Sequence, residues 1–167
     1  MKSLLIFLTF IIGSFDPSLR SHQDTKYNLE DLRIKGSNNI TLKIDDNESQ
    51  LFSALGQPTS SEDFYFEMDE KNGKLYQYGA NKVFLAEGKL FTWRILNNSI
   101  ALGRNGHFFR VGQPVSEVFK AFPEHQQKII DGWLMIPLRT ASYDMECTTV
   151  KIEVVNGIVT SFHRYDC

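Results

Sequence analysis

The chain has 167 residues, 42% of them hydrophobic and 23% charged, with a formal net charge of −2. That is an ordinary globular composition, and its balance leaves no broad basic field to hold nucleic acid. Aromatic residues reach 13% (13 Phe, 6 Tyr and 2 Trp), which suits sheets packed on short helices or an exposed aromatic face.

Lys2 precedes the apolar run Leu4–Ile12, and Gly13-Ser14 follow. A charged start, a short apolar core and small residues read as a secretory signal over residues 1–20. The run is too short to span a bilayer, which needs about 20 apolar residues. The expectation is an exported protein, periplasmic or extracellular and bacterial, with no integral membrane segment once the signal is removed. Residues 21–38 read as a linker or lead-in, in which Tyr27, Leu29, Leu32 and Ile34 supply a short strand or helix.

A first unit is expected over residues 39–98. Ile40, Leu42 and Ile44 alternate with polar residues, which is a strand signature. Asp45-Asp46-Asn47 offers helix N-caps. Leu51, Ala54 and Leu55 then give Glu48–Leu55 one apolar face. Gly56 and Pro58 stop that helix. Four strands follow as a meander: Phe64–Met68, Lys74–Tyr78, Val83–Ala86 and Leu90–Leu96, with Asn72-Gly73 as the first hairpin turn.

The second unit, residues 99–167, opens with Ser99–Leu102, the turn Asn105-Gly106 and the strand His107–Val111. Pro114 suits a first helical position. Val115, Val118, Phe119 and Phe122 form an apolar face that Pro123 ends. Glu124–Asp131 is polar and reads as a second helix or a loop. Trp133–Pro137, Thr148–Val155 and Ile158–Tyr165 read as strands, the last two joined at Asn156-Gly157.

The two units repeat one another. Leu51 falls on Val118, Phe52 on Phe119, Ala54 on Ala121, Leu55 on Phe122, and Ile44 on Val111. The hairpin at Gly88 with Trp93 matches that at Gly157 with Phe162. The fold class expected is α+β: two tandem repeats, each with one or two short helices packed on a small antiparallel sheet.

The phrases Ile44–Pro58 and Arg110–Phe119 carry a further likeness. They resemble the helix-opening motif of the outer-membrane assembly lipoprotein and β-lactamase-inhibitor-protein superfamily, in its tandem repeat form. The resemblance implies a helix pair followed by a small sheet, and a habit of binding proteins. It carries no catalytic residue. This chain has Asp45 where the motif has Gly, Phe122-Pro123 where it has Leu-Gly, and no lipid-bearing cysteine after the signal.

Cys147 and Cys167 read as a disulfide in an oxidising compartment. A closed loop of that length is worth roughly 3 kcal/mol in the chain-entropy model. His22, His107, His125 and His163 share no ligand spacing, so no metal site is expected. Asp45-Asp46-Asn47-Glu48 starts like a calcium loop, but position six is Gln50 and position twelve is Gly56, so helix capping accounts for it. Glu62, Asp63, Glu67, Asp69 and Glu70 form an acidic stretch, read as a solvated hairpin or a patch for a basic partner. Asn39, Asn47 and Asn97 open glycosylation patterns, read as chance in a bacterial chain.

No nucleophile elbow, phosphate loop or dinucleotide fingerprint occurs, so neither a catalytic residue nor a cofactor is expected. Aromatic strand positions remain. Tyr65, Tyr76, Tyr78, Phe91, Trp93 and Trp133 are the expected protein-binding surface. The function expected is a non-catalytic protein-binding module, an inhibitor or immunity protein. The alternatives are an envelope assembly or structural factor and, third, a small hydrolase.

Overall fold

Tight turns divide this chain into short strands. Glu87-Gly88, Asn105-Gly106, Asp131-Gly132 and Asn156-Gly157 each place two consecutive residues at positive φ. That is the two-residue hairpin geometry whose twist matches the flanking strands. The computed structural model describes residues 26–126, 128–140 and 148–165. The signal-like segment, Cys147 and Cys167 lie outside them, and so does the expected disulfide.

In chain order the elements are β1 (Tyr27–Asn28), β2 (Arg33–Lys35), β3 (Thr41–Leu42), α1 (Glu48–Leu55), β4 (Ser60–Phe66), β5 (Lys71–Tyr78), β6 (Asn81–Ala86) and β7 (Lys89–Ile95). There follow β8 (Ala101–Arg104), β9 (His107–Phe109), α2 (Ser116–Ala121), β10 (Ile129–Ile130), β11 (Trp133–Arg139), β12 (Thr149–Val155) and β13 (Ile158–Tyr165). One sheet has nine strands in the order β1-β11-β12-β13-β7-β6-β5-β4, with β10 also on β11. The other has four, β3-β2-β8-β9.

The α+β expectation is therefore corrected. Strands make up 52% of the structure and helix 15%, so the protein is predominantly β. The two halves do not each close a small sheet beneath helices. Each meander would leave a strand edge unpaired, an exposed template of N–H and C=O groups. Instead β7 pairs antiparallel with β13, and β2 with β8, so each sheet contains strands of both halves. The described part of the polar stretch read as a second helix or a loop forms short elements. Pro123–His125 makes only a 3-10 turn, and Ile129–Ile130 is a strand.

On either side of the β7–β13 seam the large sheet runs back through consecutive strands, β6-β5-β4 and β12-β11, and some local hydrogen bonds match. The Leu90 amide donates to the Asp46 carbonyl (2.7 Å), and that of Val159 to Gln113 (2.9 Å). The Asp46 carboxylate accepts from the Lys43 amide, and the Gln113 side chain from the Arg110 amide, at 2.9 and 2.8 Å. Both closing hairpins carry a bulge that leaves Phe91 and Thr160 unpaired. Asn47 caps α1 in a reciprocal box with Gln50, its side chain accepting from the Gln50 amide at 3.0 Å. Asn47 of the calcium-like stretch is thus engaged as a helix cap.

One continuous core joins the layers. Trp93, Ile95 and Phe162 from the large sheet meet Ile34, Leu42, Leu102 and Phe109 from the small one, with Leu51, Ala54, Val118 and Ala121 from the helices. The lead-in belongs to this core: Tyr27, Leu29, Leu32 and Ile34 are all buried, and β1 and β2 give one strand to each sheet. Asn72-Gly73 does not turn. It lies within β5, and the turn falls at residues 67–70. A Cβ on Gly73 would sit 2.2 Å from the Leu85 carbonyl oxygen and 2.6 Å from the Phe66 ring. Glycine is needed there for close approach rather than for reversal.

Asn81, fully buried, ties the crossing between the halves. Its amide donates to Asn97 Oδ1 (2.7 Å) and Ser99 Oγ (2.8 Å), and its oxygen accepts from the Leu96 and Asn97 amides (2.8 and 3.0 Å). Asn81→Leu strands two backbone donors, each worth about 1–3 kcal/mol when buried without a partner. Urea unfolding should show a loss of about 2–4 kcal/mol; a loss below about 0.5 kcal/mol contradicts the role assigned to Asn81. Gly73→Ala should cost about 1–3 kcal/mol by overpacking, read by the same titration.

Candidate binding face

Alternation along the strands of the large sheet sends one set of side chains to the core and leaves the other on a solvent face. On that face Phe64 and Phe66 of β4, Phe84 of β6 and Phe91 of β7 form one aromatic group. Their rings meet edge-on at 4.9 Å (Phe64–Phe66), 5.2 Å (Phe64–Phe84) and 4.9 Å (Phe66–Phe91). The Arg164 guanidinium stands 5.1 Å from the Phe91 ring. Across the sheet, Trp133 of β11 meets the His163 ring of β13 edge-on at 6.0 Å. The Lys151 ammonium lies 3.7 Å over the Tyr165 ring. Both helices contribute to the core on the opposite side.

Two hollows lie on this face. One of about 640 Å³ is lined by Trp133, Met135, Ile130, Lys151 and His163 among others. The second, about 510 Å³, runs between the β4–β5 turn and Tyr165, with Phe64, Phe66 and Phe91 in its wall. Phe64 (38%), Trp133 (36%), Met135 (40%) and Tyr165 (44%) are exposed on this face, and Phe66, Phe84 and Phe91 are half-buried.

The six expected surface aromatics divide. Phe91 and Trp133 are on the solvent face. Tyr65 is exposed, but it alternates with Phe64 and Phe66 and lies on the other side of β4. Tyr78 is half-buried and packs against the core, its hydroxyl donating to the Gly56 carbonyl at 3.2 Å. Tyr76 and Trp93 are buried, at 2% exposure each, and leave the surface set. The Tyr76 hydroxyl donates to Glu48. Simple alternation puts Phe91 and Trp93 on one face. The bulge between them shifts the phase by one residue and separates them. Phe64, Phe66, Phe84 and Tyr165 complete the face, and only their register with distant strands reveals it.

Below the larger hollow, the Tyr27 hydroxyl donates to Glu124, and His125 Nδ1 lies 3.3 Å from the same oxygen. Burial and the hydrogen bond to Glu124 push the Tyr27 phenol well above its ordinary range. The hydrogen bond from Tyr27 holds the Glu124 carboxyl below the usual carboxylate range. One group stays protonated and the other ionised near neutrality, so the pair does not trade a proton there. Its visible work is structural: it fastens β1 beside the 3-10 turn. Among the described residues, no group of three or more His, Cys, Asp or Glu could hold a metal ion. None of their helices is long and apolar enough to cross a membrane.

No protein-family model, curated protein or solved structure matches this chain.

The phenols give a test of the packing beneath the face. Burial pushes the Tyr78 phenol up to about 12, and burial with the Glu48 hydrogen bond raises that of Tyr76 further. A group raised in the folded state contributes stability that is complete below the unfolded phenol pKa, near 10, and is lost above it. Stability should therefore hold up to about pH 10 and fall between pH 10 and 12. Chemical denaturation across that range checks this. Tyr78→Phe should flatten part of the fall, and an unchanged slope in that variant contradicts it.

Proposed function

We propose that the chain is an exported, non-catalytic protein-binding module whose partner seats on the solvent face of the nine-stranded sheet. The observation that carries the reading is the aromatic group Phe64, Phe66, Phe84 and Phe91 with Trp133, on the side away from both helices. Contiguous apolar exposure of this kind marks interaction sites, and large rigid rings anchor binding at little entropic cost. The sheet backbone is fixed by cross-strand pairing, so the surface is preformed. Kinship with the assembly-lipoprotein and inhibitor superfamily belongs to the same proposal and rests on the two helix-opening phrases.

Within this reading, an inhibitor or immunity protein is the form we favour. An envelope assembly factor is the alternative, and deleting the gene separates them: an assembly factor's loss weakens the outer-membrane barrier, an inhibitor's does not. The surface itself is tested with a photo-crosslinking residue in the full chain at position 133, 64 or 120. Position 120 lies on α2, away from the face. Adducts to one protein in envelope or secreted extract should form from 133 and 64 and not from 120. Equal adducts from all three, or none, contradict the proposal.

A further inference from the structure

The register across the middle of the large sheet aligns four basic residues. Lys82 on β6 is opposite Arg94 on β7, Arg94 is opposite His163 on β13, and His163 is opposite Lys151 on β12. With strands about 4.8 Å apart, the row is about 14 Å long. Arg94 is exposed and the other three are half-buried. Like charges placed directly opposite one another on a sheet destabilise it. Among the described residues, Lys82, Arg94 and Lys151 make no ion pair that would relieve the row. Glu153, two residues along β12 from Lys151, accepts from the Thr160 and Ser161 hydroxyls at 2.8 and 3.0 Å. Burial, then Lys151 and Arg94, press the His163 imidazole below its ordinary value, against a smaller opposing effect of Glu153.

The row ends on an apolar shelf. Lys151 is opposite Met135, and Trp133 closes on His163 from the same strand. We infer that the row is the docking site for an extended acidic segment of the partner protein, laid across the strands with its carboxylates on Lys82, Arg94 and Lys151 and an apolar side chain in the hollow beside Trp133 and Met135. An extended chain advances about 6.7 Å every second residue, so three acidic residues at alternate positions span the row. A long polyanion such as single-stranded nucleic acid is disfavoured. Continued across the strands it meets Gln77 and Ser60 beyond Lys82 and Met135 beyond Lys151, none of them cationic. This inference rests on the protein-binding reading and names the partner's chemistry.

The test is fluorescence anisotropy on the full chain, with a labelled octapeptide that alternates Glu with Leu and Trp. The wild type should bind it saturably, more weakly as salt rises. Arg94→Gln with Lys151→Gln should weaken binding at least 10-fold, while Lys120→Gln on α2 leaves it unchanged. The His163 ring signal should titrate at higher pH in the peptide's presence; the groups facing it there are Lys151, Arg94 and Glu153, with His125, Lys128 and Asp131 in the adjoining hollow. The double variant should melt no lower than wild type, because it removes repulsion. No saturable binding, equal binding by the double variant, or tighter binding of a labelled oligothymidylate would falsify the inference. A partner still crosslinked from position 133 after the row is neutralised overturns this inference alone, and loss of that crosslink in the wild type overturns the reading beneath it.

Discussion

Two short strand pairings hold this architecture together: β7 with β13, and β2 with β8. The first is brief, pairing Phe162 with Ile95 and His163 with Arg94. It nevertheless converts two meanders into one sheet and brings Trp93 and Phe162 side by side in a common core. The second does the same for the smaller sheet through Ile34 and Leu102. A unit of about 60 residues buries a thin core and is marginal alone. Pooling strands removes two open edges and thickens that core at once. Residues 27–35 reinforce the join, since they supply a strand to each sheet.

The fusion also shapes the surface. Neither half alone carries the arrangement on the solvent face. Phe64, Phe66, Phe84 and Phe91 come from the first meander; Trp133, Met135, Lys151 and Tyr165 come from the second. The basic row exists only because β7 and β13 touch, with Lys82 and Arg94 on one side of the seam and His163 and Lys151 on the other. Like charges placed opposite one another at this short seam are a local conflict of the kind expected at functional sites.

Local signals were readable where they acted alone. The α1 boundaries follow from Asn47, the Leu51/Ala54 spacing and Gly56. The hairpins at Glu87-Gly88, Asn105-Gly106 and Asn156-Gly157 follow from turn chemistry. The apolar spacing of Leu51 and Ala54, and of Val118 and Ala121, marks residues that are all buried. What failed was non-local. Asn72-Gly73 has the composition of a turn, but Leu85 and Phe66 require a glycine inside a strand. Asp131-Gly132 is an equally good turn signal, hidden within a polar stretch read as helix or loop. Phe91 and Trp93 are separated by a bulge that alternation does not contain. The α+β expectation failed because counting helices and strands per half says nothing of strands shared between halves. The basic row was illegible for the same reason: its members are far apart in sequence and meet only through register.

The central claim is that both halves build one face and that the partner engages it across the seam. A structure of the complex tests this most directly. The account predicts that one partner molecule contacts Phe64 or Phe84 and, simultaneously, Trp133 or Lys151, bridging β6–β7 and β12–β13. A partner bound on the helix side, or confined to the strands of one half, would contradict it.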